Sequence, residues 1–229
     1  MEKDFIITPR NIALPDKEKY GLGLKIPAHL FSYVFHPLFI PAIAAWYLAF
    51  VNQGYFTGIT PQAKLFILIR VAYNTIIFPA VTILLLKALG FIKSIFLKTR
   101  KERIVPYVAA NFFYFWMYLV FRSQPEVPSV LTAFIFGVFL SSSVGLIANI
   151  YYKISMHALG MGALSGLLLV IIFSASPYSI FLSAMVVFLI SGLVCTSRLI
   201  VSDHLPFDIY TGFLFAILCQ VIAALFIGY

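Results

Sequence analysis

The chain is built from apolar runs of about 20 residues separated by short polar turns. A run of that length, wound as a helix, crosses a hydrocarbon core of about 30 Å with every backbone amide paired inside the segment. The final run, FDIYTGFLFAILCQVIAALFIGY, is continuous rather than alternating, which argues against a β-barrel. Composition agrees: 62% of the residues are hydrophobic, 10% are charged and the mean hydropathy is +1.01, too apolar for a soluble domain. The predicted fold is all-α, a polytopic bundle of six to seven transmembrane helices.

Seven candidate crossings fall at about 31–51, 67–91, 104–122, 128–150, 158–175, 179–197 and 207–228. The first holds Pro37 and Pro41, either of which can kink it or turn it back. Residues 1–30 read as a polar N-terminal tail without a signal-peptide pattern, and 31–229 as one transmembrane domain. Cys195 and Cys219 lie inside apolar runs and read as free thiols. The net charge of +8 suits anionic headgroups or an anionic substrate, and no aromatic–basic pattern suggests a nucleic-acid partner.

Outside the tail, polar residues gather in three segments, 93–106, 153–157 and 197–208. Two crossings separate each from the next. An even number of crossings returns a chain to the same membrane face, so all three segments are expected to meet there, at helix ends. They would bring together Lys98, Arg100, Lys101 and Arg103, then Ser155 and His157, then Arg198, His204 and Asp208. Two histidines near neutral pH can divide the work of attack and proton donation. A carboxylate beside one of them fixes its tautomer. Fixed cations, guanidinium forks above all, suit the oxygens of a phosphoryl group. Pro206 fits the first turn of the last helix, which puts His204 just before that helix and Asp208 within its first turn.

The string SRLIVSDHLPFD, with Ser197, Arg198, His204 and Asp208 in the pattern SR-x5-H-x3-D and Gly212 four residues on, resembles the third signature of the type 2 phosphatidic acid phosphatase superfamily. The second segment, ISMHALGMGAL, resembles that family's Pro-Ser-Gly-His. It keeps Ser155 and His157 but carries Ile154 and Met156 in place of Pro and Gly. The first, KTRKERIVPY, resembles Lys-x6-Arg-Pro through Lys98 and Pro106. Val105 stands where the family has Arg, so Arg103 or Arg100 must substitute. The resemblance implies that His204 attacks phosphorus, Asp208 orients His204, and His157 protonates the leaving oxygen. It implies that Lys98, Arg100, Arg103, Ser155, Arg198 and the backbone N–H of Met156 hold the phosphate. The implied substrate is a lipid phosphate or diphosphate, namely phosphatidic acid, phosphatidylglycerophosphate or undecaprenyl diphosphate. The implied chemistry is a metal-independent hydrolysis in a bacterial cytoplasmic membrane, without a cofactor.

His29 and His36 read as interfacial polar groups, Asp203 as a solvated turn residue and Arg70 as a snorkelling side chain. Seven crossings would put 13 of the 16 Lys and Arg on the side of the polar segments, which the positive-inside rule makes cytoplasmic. The resemblance favours an extracytoplasmic site, and a first run that fails to cross would ease that conflict. Two rival readings stand beside hydrolysis. One is a phosphotransferase of the same superfamily. The other is a non-catalytic lipid-binding or transport protein, although transport usually puts polar groups at mid-membrane.

Overall fold

The structure, a computed structural model, describes residues 20–92, 100–174, 180–202 and 204–229, without the side chains of Arg100 and Lys101. Helix α1 is Leu22–Val34, and α2 is Ile40–Trp46, continued by a π turn at Tyr47–Val51. Next come α3 Pro61–Ala72, a π turn at Tyr73–Ile77 and α4 Phe78–Ala88, joined end to end. The remaining helices are α5 Arg100–Arg122, α6 Ser129–Tyr151, α7 Met156–Ser174, α8 Phe181–Val201 and α9 Pro206–Ile227. Among the described residues, six helical stretches are long and apolar enough to cross a membrane: Pro61–Ala88, Glu102–Arg122, Ser129–Tyr151, Met156–Ser174, Phe181–Val201 and Pro206–Ile227. The protein is an all-α integral membrane protein.

Several details differ from the sequence reading, and the break it left open in the first apolar run is present. The first apolar run is not one spanning helix. α1 stops at Val34, residues 35–39 turn, and a shorter apolar helix occupies Ile40–Val51. Pro37 lacks the amide a helix would need and pushes His36 out of helical geometry, while Pro41 fits the first turn of α2. α1 also begins ahead of residue 31, inside the stretch read as tail. The second run starts at Pro61 rather than near 67, because its polar residues have partners. The Thr60 hydroxyl caps the helix by accepting from Ala63 N–H at 3.3 Å, and Lys64 Nζ reaches Gln53 Oε1 at 3.5 Å. Arg70 does not snorkel freely. Its Nη1 donates to Gln124 Oε1, and the guanidinium lies over the Phe121 ring. The run ends in a Schellman turn: Gly90, at φ +80°, donates to Lys87 O, and Phe91 N–H donates to Leu86 O.

α7 packs against α2, α6, α8 and α9. Small residues along it allow close backbone approach, as expected where lipid tails give helices no hydrophobic drive to associate. A Cβ on Gly162 would stand 2.3 Å from the Phe213 carbonyl oxygen of α9, and one on Gly160 would stand 3.2 Å from Ile40 Cγ1 and 3.4 Å from Pro37 Cα. Gly162→Ala is therefore expected to lower the unfolding midpoint in detergent, at a cost of about 1–3 kcal/mol, since backbone must move to admit the methyl. Gly192→Ala on α8 is the control, because nothing lies within 4 Å of a Cβ there. Thermal unfolding of both variants checks the contrast.

The ends of the bundle differ. Tyr55 packs on Tyr229 at one end. The other end collects the start of α5, the α6–α7 connection, the end of α8 and the start of α9, which is where the three polar segments were expected to meet.

Candidate active site

The backbone of the α6–α7 connection is the hub of the site. Lys153 carbonyl accepts from His204 Nδ1 at 3.0 Å, and Ile154 carbonyl accepts from Arg103 Nη1 at 3.4 Å. Ser155 N–H donates to the Asp208 carbonyl at 3.1 Å. Three consecutive residues of the second segment thus bind the first and the third. Gly212 packs closely here: a Cβ would stand 3.1 Å from the Ser155 carbonyl oxygen, so a larger residue would press on this connection.

His204 is 3% exposed and lies just ahead of α9, with Pro206 in the first turn of that helix. Its Nδ1 faces a carbonyl, which only accepts, so Nδ1 carries the proton and Nε2 keeps its lone pair. Burial holds its pKa below the ordinary 6.5; Arg103, Arg198 and Lys153 push it the same way, and Asp208 opposes them. The imidazole is a neutral base with an available Nε2. Asp208 Oδ2 lies 3.9 Å from Nδ1 and accepts Leu205 N–H at 2.9 Å. The close partner that fixes the His204 tautomer is therefore the Lys153 carbonyl, with the carboxylate one shell further out, bracing the turn that carries His204.

Ser155 is fully buried, and its hydroxyl accepts Ala158 N–H at 3.4 Å, capping α7. His157, in the first turn of α7, places Nε2 3.0 Å from the Ser32 carbonyl, so Nε2 is protonated and Nδ1 is the open edge. The His36 ring meets it edge-on, with centroids 5.5 Å apart and planes at 83°.

A cavity of about 550 Å³ opens beside these groups. Its polar end is lined by His29, Ser32, His36, Arg103, Met156, His157 and Arg198. It continues between Pro79 and Ile83 of α4, Ala110 and Tyr114 of α5, Val138 of α6 and Ala163 of α7. Arg103 and Arg198 are close enough to repel one another, and among the described residues Arg198 Nε is buried without a protein partner. His204, Asp208 and Ser155 lie outside the lining, packed behind it.

Of the residues singled out in the sequence, Arg103, Ser155, Met156, His157, Arg198, His204 and Asp208 therefore come together. Lys98 and Asp203 lie outside the described residues, as does the Arg100 side chain. Sequence reasoning passed over Ser32 and Tyr107 and read His29 and His36 only as interfacial polar groups; all four line the cavity. One signal for His36 was available. It sits directly ahead of Pro37 in an apolar stretch, where the chain must leave helical geometry.

Comparison with known proteins returns no match: no family model, no curated protein and no solved structure is detectably similar to this chain.

Proposed function

We propose that the protein is a membrane phosphatase of the type 2 phosphatidic acid phosphatase kind, acting on a lipid phosphate or diphosphate through a phosphohistidine. The observation that carries this reading is one cavity lined by two arginines, three histidines and a mostly apolar remainder that includes the hydroxyls of Ser141 and Ser142, set against a buried neutral histidine. An amphipathic anion fits such a cavity, with its phosphoryl group on Arg103 and Arg198 and its chain beside Ile83, Val138 and Ala163.

The reaction follows from the tautomers. His204 Nε2 attacks phosphorus as the bond to the leaving oxygen breaks. Lys153 carbonyl and, at longer range, Asp208 stabilise the positive charge that the ring acquires. His157 Nδ1, which carries no proton in the neutral ring, takes one from the phosphate monoanion as it binds and passes it to the leaving oxygen while Nε2–H stays on the Ser32 carbonyl; Nδ1 later takes a proton from the water that cleaves the N–P bond. Since His204 lies behind the cavity wall, the incoming phosphoryl has to draw Arg103 off its 3.4 Å bond to Ile154 carbonyl. A charge-assisted bond to phosphate is the stronger of the two. The resemblance favours the extracytoplasmic face.

Phosphate release by purified protein in detergent with EDTA, offered phosphatidic acid, phosphatidylglycerophosphate and undecaprenyl diphosphate, tests the proposal. Release from at least one is expected; none from any, in folded protein, overturns it. The pH profile adds a second check. The nucleophile must be unprotonated, and its pKa is lowered by burial and by three cations, so the acid limb of kcat/KM is expected below 6.5. An acid limb above that value contradicts the assignment of His204.

A further inference from the structure

Residues 35–39, the break between α1 and α2, reach into the site, and this part of the chain matches none of the three segments that carry the family resemblance. Pro37 is seated against Gly160 of α7, where a Cβ would come within 3.4 Å of its Cα. The ring of His36 is thereby set edge-on to His157, within the cavity that Arg103 and Arg198 also line. Leu38 N–H donates to His36 Nδ1 at 3.4 Å, so Nδ1 is the accepting nitrogen and the proton sits on Nε2. Among the described residues that Nε2–H has no protein partner, and it is not sealed from the cavity. Burial, with Arg198 second, holds the His36 pKa below 6.5, which keeps the ring a neutral donor rather than a third cation.

Resting on the phosphatase reading, we propose that His36 is a phosphate-binding residue, its Nε2–H donating to an oxygen of the same phosphoryl group that Arg198 holds. The break in the first apolar run would then exist to bring this donor to the site. Ser32 carbonyl, from the same element, fixes the His157 tautomer at 3.0 Å, so α1 and the turn after it both bind and orient.

Two variants separate binding from packing. His36→Phe keeps a ring against His157 and loses the N–H. His36→Gln loses the ring and keeps a donor near the Nε2 position. Inorganic phosphate is the probe, titrated against protein in detergent, with lipid phosphate turnover measured in parallel. His36→Phe is expected to weaken phosphate binding about tenfold or more and to raise KM more than it lowers kcat. His36→Gln should recover most of the affinity. A His36→Phe protein that binds phosphate like wild type, or a Phe variant that outperforms Gln, overturns the proposal and leaves the phosphatase reading intact. Wild type that binds phosphate but turns over no lipid phosphate sinks the reaction and leaves the binding inference standing. Wild type that binds no phosphate overturns both. Selective ¹⁵N-histidine labelling gives a readout in the unmutated protein, which holds four histidines. The His36 Nε2 signal should shift on phosphate addition, and an unmoved signal counts against the role.

Discussion

His204→Asn is expected to abolish lipid phosphate turnover, by at least about 10⁴-fold in kcat, in protein that remains folded. The choice of asparagine follows from the hydrogen bonds. His204 Nδ1 donates to Lys153 carbonyl at 3.0 Å, and an alanine would remove that bond, at a net cost of about 0.5–1.5 kcal/mol. Asparagine places an N–H close to the Nδ1 position and nothing at Nε2. It therefore removes the attacking atom while keeping the contact that holds the third segment to the α6–α7 connection. Turnover should vanish with phosphate binding largely retained, since Arg103 and Arg198 line the cavity and His204 does not. Loss of binding together with turnover would mean that His204 serves the architecture of the site. Retained turnover would remove it from the chemistry altogether.

The second large effect is expected at Arg198, and it has two opposed parts. Arg198 and Arg103 line the same cavity close enough to repel one another, and among the described residues Arg198 Nε is buried without a partner. Holding two cations together away from water is unfavourable until an anion arrives. Arg198→Met keeps the length of the stem and removes the charge. Without phosphate the variant should melt at or above the wild-type midpoint, because a repulsion has been relieved. With phosphate the wild type should gain stability and the variant should not, since a ligand that binds only the folded state raises its apparent stability. Turnover should fall by about 10²–10³-fold, as for loss of one group that stabilises transition-state charge. Thermal melts with and without phosphate, beside a turnover assay, check both parts. A variant that is destabilised without ligand yet still responds to phosphate would make Arg198 a structural residue.

The bundle and its crowded end were legible because hydrocarbon imposes a simple rule. Runs long enough to span become helices, and the parity of crossings brings 93–106, 153–157 and 197–208 to one end whatever the packing between them. Local grammar at the α9 start was equally readable, since Pro206 at the first turn dictates where His204 and Asp208 fall. Three things could not be read that way. Pro37 divides the first run, but whether the chain turns back or merely kinks depends on the notch that Gly160 offers on α7, a tertiary fact. The start of α3 was misjudged because Lys64 and Arg70 find Gln53 and Gln124, partners distant in sequence. The roles inside the site were blurred for a similar reason. Spacing pairs Asp208 with His204, but it cannot show that the nearer partner of His204 is a backbone carbonyl from another segment, or that the Ser155 hydroxyl is taken up as a cap. A lone histidine such as His36 carries no sequence partner at all, and only the fold sets it against His157.

The most direct measurement is a rapid-quench experiment with a lipid phosphate labelled in its phosphoryl group, followed by peptide mapping of the denatured protein. The account predicts label on the peptide that contains His204, stable to base and lost in acid as a phosphoramidate should be, and absent from His204→Asn. Steady turnover with no such label, or label on a hydroxyl or carboxylate elsewhere, would contradict it.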